Sequence, residues 1–359
     1  MALPTVTTLE HCAEWSRVVE PYIPQLYDLP SKFLTSVTDP KLLLVLYKTT
    51  NPLISGFAFS IAVGFVALVV SEFNRNYSQI DRMWSLLPTI YNAHFAAWTH
   101  LHGLPSERVD MILIFSILWS ARLTFNYARK GGYSVGSEDY RWEIIKAQVP
   151  GVVFFLFNVT FISFIQSVLL FALAAPTYIV MLSSIVDPKP TAGDVAFLAV
   201  QVALVVSEWF SDQQQWDYQH AKQEYKKTGK VPHGFTKDDL ERGFITSGLW
   251  AYSRHPNFAA EQTIWLVLYQ WSCYASNTLY NWSAFGAVFL LSIFQGSTWL
   301  TELISSGKYP EYKEYQAQIN KFLPKSGAYL PPAVKPVAVP ETTGLAAKLQ
   351  KTAKKAKKL

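Results

Sequence analysis

Leu53–Ser71, LISGFAFSIAVGFVALVVS, is nineteen residues long and carries no charge. A helix crossing the hydrocarbon core of a bilayer takes roughly 20 apolar residues, so this stretch reads as a membrane span and sets the class of the chain. Further spans are expected at 83–99, 109–128, 151–174, 193–211, 247–271 and 283–300. The runs at 53–71, 151–174 and 193–211 carry the signal unaided. The run at 83–99 contains Asn92 and His94, and 109–128 carries Asp110, Arg122 and Asn126. Ala175–Val186 is apolar but short and follows Pro176. It reads as a lumenal connection or as part of an eighth span. The expected fold is therefore all-α, a polytopic membrane bundle of about seven transmembrane helices, eight under the second reading.

Composition agrees. Charged residues make up 16% of the chain and aromatic ones 15%, where a soluble domain carries about a quarter charged residues. Cys12 and Cys273 are the only cysteines and support neither a disulfide framework nor a thiolate metal site. Residues 1–20 contain acids and no apolar core, unlike a signal peptide. The net charge of +5 sits in loops and tail. It reads as topology information, and no nucleic-acid-binding motif is present. Basic residues cluster at 129–147, at 219–246 and after Lys308. The positive-inside rule puts all three in the cytosol, which gives a lumenal N-terminus and a cytosolic C-terminus.

Three regions are expected: a lumenal lead-in at 1–50, a transmembrane domain at 51–325 and a disordered basic tail at 326–359. The final Lys355-Ala356-Lys357-Lys358-Leu359 resembles a dilysine retrieval signal, which implies an endoplasmic-reticulum membrane protein recognised by a coat. A solvated or lipid-attracted basic tail is the plain alternative.

Polar side chains at the edges of apolar segments are the candidates for chemistry, because ionisable groups there are expensive. The richest run is Ser253-Arg254-His255-Pro256-Asn257, followed by Glu261. Pro256 suits a first helical turn, and Asn257 and Glu261 then share a face. An Arg, a His, an amide and a carboxylate near a helix N-terminus can grip a phosphorylated or otherwise polar cofactor. The plain reading is a capped helix end. Asp212, in Ser211-Asp212-Gln213-Gln214, can hold a ribose or an amide, or end a helix. Arg122, Asn126 and Arg129 fall near one helical face, and Arg suits phosphate; positive-inside charge explains Arg129 equally well. Asp81 is a candidate acid if it is buried, or an N-cap. Glu302, Lys308 and Tyr309 lead into a short amphipathic helix. His94, His100 and His102 do not fall on one helix face, so no metal is expected.

The pattern W-x-x-SRHPN-aromatic-x-x-E, with an upstream Asp-Gln pair and a downstream KYPEYKEY, resembles the steroid 5-alpha-reductase superfamily over about residues 50–325. The nearest branch is the uncharacterised domain family DUF1295. The resemblance implies seven to ten spans, NADPH held near the cytosolic face, and reduction of a carbon–carbon double bond conjugated to a carbonyl. Asn257, Glu261 and Asp212 would contact the cofactor. Arg129, Asn126 and Lys222 would lie towards its phosphates, and Arg254, His255, Glu302 and Tyr309 complete the cofactor set. Asp81 or Tyr91 would polarise the substrate carbonyl, and Arg122 would orient or balance charge. Trp119 stands where steroid reductases carry a catalytic Tyr, and Ala260 where the motif has Gly.

Three functions compete. One is an NADPH-dependent reductase of a sterol, polyprenal-type or fatty enoyl compound, whose partners are that lipophilic substrate and membrane lipids. Another is a methyltransferase using S-adenosylmethionine, similar to isoprenylcysteine carboxyl methyltransferases, in which Glu302 and Glu311 would dominate. The third is a non-catalytic lipid-binding membrane protein, which Trp119 keeps open.

Overall fold

A computed structural model of the chain describes residues 2–331. The basic C-terminal signal at 355–359 and most of the Pro/Ala/Thr-rich tail lie outside the described residues. Fifteen α-helices follow one another among the described residues, with no strand. They are α1 Trp15–Val18, α2 Ile23–Ser36, α3 Pro40–Thr49, α4 Pro52–Asn74, α5 Gln79–Met83, α6 Leu87–Leu101, α7 Glu107–Arg129 and α8 Tyr140–Lys146. Then come α9 Gly151–Phe157, a π-helical stretch Asn158–Ile165, α10 Gln166–Val186, α11 Ala192–Thr228, α12 Lys237–Arg242, α13 Pro256–Ala275, α14 Ala284–Lys308 and α15 Tyr312–Gln318. The chain divides into two compact units, one of Met1–Val202 with Ile264–Leu290 and the other of Ala203–Thr263 with Leu291–Leu359.

Five helical stretches are long and apolar enough to cross a membrane: Pro52–Asn74, Glu107–Arg129, Gly151–Val186, Ala192–Thr228 and Ala284–Lys308. Several apolar helices of this kind are what a membrane protein needs. Two of the seven expected spans fall short. The 83–99 segment becomes α6, which starts only at Leu87 and has 15 residues, about 22 Å of helix. The 247–271 segment opens with a 3-10 turn at Gly248–Ala251, and α13, Pro256–Ala275, is long enough at 20 residues but not apolar enough to join those five.

In the first unit, α4 starts where Asn51 caps it: the Asn51 side chain accepts from Leu53 N at 2.9 Å, and Pro52 needs no N–H there. Its buried face is a row of small residues, Gly56, Ser60, Gly64, Ala67 and Ser71. Small side chains let a neighbouring helix come close, and α4 packs on α10 and on the π-helical stretch. Further packing joins α10 to α6 and α6 to α7. Asn92 and His94 of α6 are paired internally, as a low-dielectric interior demands. Asn92 donates to Ser116 Oγ at 3.0 Å and accepts from Thr177 Oγ1 at 2.8 Å. His94 Nε2 faces the Pro52 carbonyl at 2.8 Å and so carries the proton, leaving Nδ1 to accept from the Tyr47 hydroxyl at 2.8 Å.

The expectation for Ala175–Val186 is corrected. This segment is no connection: α10 runs unbroken through Pro176 to Val186. Every residue from Leu173 to Ser184 is buried, and a helix that is hydrophobic all round belongs inside protein. Proline removes only one intrahelical bond, the one to the Ala172 carbonyl. At that oxygen Gly286 makes its closest approach: a Cβ on Gly286 would lie 2.4 Å from it. Gly286→Ala is therefore expected to destabilise the protein by about 1–3 kcal/mol through overpacking. Gly296→Ala, in the same helix with open space around it, should not lower the unfolding temperature and should raise it slightly through helix propensity. Equal thermal unfolding of both variants would refute this account of Gly286.

Residues 2–50 are mostly helical, and the Tyr178 hydroxyl holds them, donating to Val18 O at 3.1 Å while accepting from Asn51 Nδ2 at 2.8 Å.

Candidate functional site

The second unit builds its polar centre around the residues preceding α13. Three neighbours fix this segment. Gln214 of α11 accepts from Leu249 N at 2.9 Å, and its amide fills the space beside Gly248, whose φ of 63° suits glycine. The Trp250 indole donates to Ser211 O at 3.1 Å. The segment after α15 then runs alongside: Arg254 N donates to Asn320 O at 3.0 Å and His255 N to Lys321 O at 3.1 Å, while Tyr252 and Ala251 carbonyls accept from Lys325 N and Tyr329 N at 2.9 and 2.8 Å. Ser253 Oγ donates to Phe322 O at 2.7 Å. The Tyr315 hydroxyl donates to Trp250 O. The motif is thus held by backbone bonds along most of its length.

Two groups of side chains emerge. The first is a saturated cluster on Glu302, near the end of α14. Arg254 Nε and Nη2 donate to the two Glu302 oxygens at 2.7 and 3.1 Å. His255 Nε2 lies 2.9 Å from Oε1 and Gln316 Nε2 donates to Oε2 at 3.0 Å. Arg254 Nη1 goes to the carbonyls of Gln316, at 3.0 Å, and Ile319. All three nitrogens of Arg254 are therefore engaged within the protein, and its guanidinium acts as a brace between α13, α14 and α15.

The second group is Asp212, Asn257 and Glu261. Asn257 Nδ2 donates to Asp212 Oδ1 at 3.1 Å, and Asn257 Oδ1 accepts from Phe258 N at 3.0 Å. Glu261 is buried one turn further along α13. An amide and two carboxylates here offer acceptors suited to hydroxyl and carboxamide N–H groups, and none suited to a bare phosphate.

Lys222 and Tyr309 meet in the same unit. Lys222 Nζ donates to Gly243 O at 2.6 Å and to the Tyr309 hydroxyl at 3.3 Å. Gly243, at φ 85°, ends α12, and the Tyr309 ring lies where its Cβ would be, 2.4 Å from the nearest ring carbon. Burial pushes the Tyr309 phenol up, but the Lys308 and Lys222 ammonium groups outweigh it and hold it below the usual range. Glu311 pairs with Arg242 at 3.3 Å.

The remaining expected site residues lie in the first unit. Trp119, Arg122 and Asn126 are buried along one face of α7, with Trp119 edge-on to Trp265 at 5.0 Å. Arg129 lies over the Phe125 ring at 5.1 Å. Asp81 accepts from the Trp142 indole at 2.7 Å. Burial drives its carboxyl above the usual carboxylate range despite the neighbouring Arg141. Tyr91 is buried between Phe59 and Phe171.

Sequence reasoning passed over Gln316, and it gave no role to Gln214 and Tyr315, which lie within the quoted stretches Ser211–Gln214 and KYPEYKEY and build the motif's surroundings. It also passed over Asp194, although a carboxylate at the start of an apolar run was a legible sign.

Comparison with known proteins places the chain in a family. A family model described as "Protein of unknown function (DUF1295)" matches residues 67–319. A relative from Schizosaccharomyces pombe (strain 972 / ATCC 24843), "Uncharacterized protein C594.04c", is 39% identical over 325 residues, covering 90% of this chain and 93% of that protein. No solved structure matches. Since the family model takes in most of the sequence and the relative nearly all of it, this chain belongs to the DUF1295 family.

Proposed function

We propose that the Asp212–Asn257–Glu261 group binds the polar part of NADPH, and that the protein is a reductase of a lipophilic compound bearing a carbon–carbon double bond conjugated to a carbonyl, working in the endoplasmic-reticulum membrane. The observation that carries the reading is the 3.1 Å bond between Asn257 Nδ2 and Asp212 Oδ1. It joins two residues that the sequence had separately marked as cofactor contacts. The residues fit the nucleoside portion of such a cofactor: carboxylates accept from ribose hydroxyls, and an amide both donates and accepts. Arg254 is not used for phosphate in this reading, because its donors are spent on Glu302 and two carbonyls. NADPH, when bound, supplies hydride.

The test is the thermal stability of the detergent-purified protein, alone and with NADPH, NADH or S-adenosylmethionine. A ligand at about a hundred times its Kd adds roughly 2.7 kcal/mol, so NADPH is expected to raise the unfolding temperature clearly. Asn257→Ala is expected to weaken binding by about tenfold, the loss of one to two hydrogen bonds, while unfolding normally without ligand. Stabilisation by S-adenosylmethionine alone, or by no ligand, would overturn the proposal.

A further inference from the structure

The first unit encloses a cavity of about 550 Å³ that the cofactor reading does not use. Ile54 and Phe57 of α4, Phe171 and Ala175 of α10, and Phe285 and Gly286 of α14 form most of its wall. Val19, just after α1, and Ile23 and Leu26 of α2 close another side. The one hydroxyl in the lining, on Ser283, is already donated to Asn281 Oδ1 at 2.6 Å. Water needs two to four polar partners to settle in a cavity, and this wall does not provide them. The size lies within the range of small-molecule sites, about 300–1,000 Å³. The space exists because the floor is made of small residues, Ala172, Ala175 and Gly286; the last is required by the Ala172 carbonyl.

The cavity has a mouth. Phe285 lines it and is also 62% exposed, and Trp15, also in the lining, is 48% exposed. Phe59 on α4 and Val288 on α14 continue the exposed apolar surface on either side. Both helices are long and apolar enough to span a membrane, so the surface around the mouth suits lipid. One polar group is left over in the lining, the buried indole N–H of Trp282, and a single neutral donor does not suffice for a charged head group.

We propose that this cavity seats one acyl chain of a bilayer phospholipid, which enters past Phe285 and Trp15 and leaves its head group outside. The proposal stands whether or not the second unit binds a dinucleotide. Its occupant is a flexible hydrocarbon chain, and α1 and α2 serve as the wall that holds it.

The experiment is lipid extraction and native mass spectrometry of the full-length protein, purified in detergent with extended washing and compared across variants. The wild type is expected to retain about one phospholipid per chain, as a tight buried site would. Ala175→Phe fills the floor and should lower retention by at least about fivefold, since the added ring takes the space the chain needs. Leu26→Trp narrows the cavity from the partly exposed α2 side, where the fold is least disturbed. It should lower retention while leaving the unfolding temperature unchanged. It decides the matter if Ala175→Phe does not fold. Val153→Phe, on the exposed face of α9 and outside the lining, should retain lipid as the wild type does. Retention equal to wild type in the folded cavity variants would overturn the proposal. So would a wild type that keeps no phospholipid, or keeps only sterol.

Discussion

Glu302→Ala should destabilise the protein by about 3–5 kcal/mol, the range seen when one partner of a buried ion pair is removed. The Arg254 and Glu302 side chains are only 10% and 9% exposed, so solvent screening does little to soften the loss. Four donors lose their acceptor at once: two from Arg254, one from His255 and one from Gln316. Arg254 would keep only its two carbonyl bonds, with a buried positive charge uncompensated. Glu302→Gln should fall between wild type and Ala, because one acceptor oxygen remains while the charge is gone. The double variant Arg254→Met with Glu302→Leu should recover much of the loss, since an apolar pair of similar volume can replace a buried ion pair. Thermal unfolding of the four proteins in detergent reads all three expectations. Recovery absent in the double variant would show that Arg254 is needed for more than its pairing with Glu302.

An effect at the low end of that range is expected at Asp194 in the first unit. Its side chain is fully buried and that of Arg108 is 4% exposed. Asp194 accepts from Arg108 Nε at 2.9 Å, from Thr191 N and Oγ1 at 2.7 and 2.8 Å, and from the Trp271 indole at 2.7 Å. Arg108 also donates to the Asp187 and Lys189 carbonyls. One carboxylate thereby pins the turn between α10 and α11 to the start of α7 and to α13. Asp194→Ala should cost about 3 kcal/mol, because the buried Arg108 is left with only the half-exposed Asp187 carboxylate at 3.2 Å as a counter-charge. Asp194→Asn, which keeps an acceptor, should cost less. Arg108→Met should be milder than Asp194→Ala, because it removes the charge that would be stranded. If Asp194→Ala unfolds at the wild-type temperature, the network does not hold the turn.

Both networks show what a sequence withholds. Arg254 looked like a ligand-binding cation because it sits beside His255, Asn257 and Glu261 in the chain. Its partner lies 48 residues away, and nothing in the local pattern says that this partner has absorbed it. Asp194 and Arg108 are 86 residues apart. Asp194 stands alone at the edge of its apolar run and Arg108 sits between Glu107 and Asp110, and each run taken alone is compatible with a solvated end. Asp212 and Asn257 are the contrary case. Each stood out locally as a polar residue at the end of an apolar helix, and the fold brings them within hydrogen-bond distance.

Sequence alone determined the helical, membrane-type character of the chain, the positions of α4, α7 and α14, and the first half of α11, which runs on to Thr228. Apolarity over some twenty residues is a local, additive property, so a run such as Leu53–Ser71 declares itself. Family membership was legible for a similar reason, because the SRHPN motif and its flanks are contiguous. Tertiary structure decided three matters: the continuation of α10 through Pro176, the internal pairing of Arg254, Arg108, Asn92 and His94, and the existence of the lipid-sized cavity. Each depends on what lies across from a residue. Proline is tolerated where one freed carbonyl meets a glycine, and a buried charge is stable only where a distant carboxylate has been brought to it.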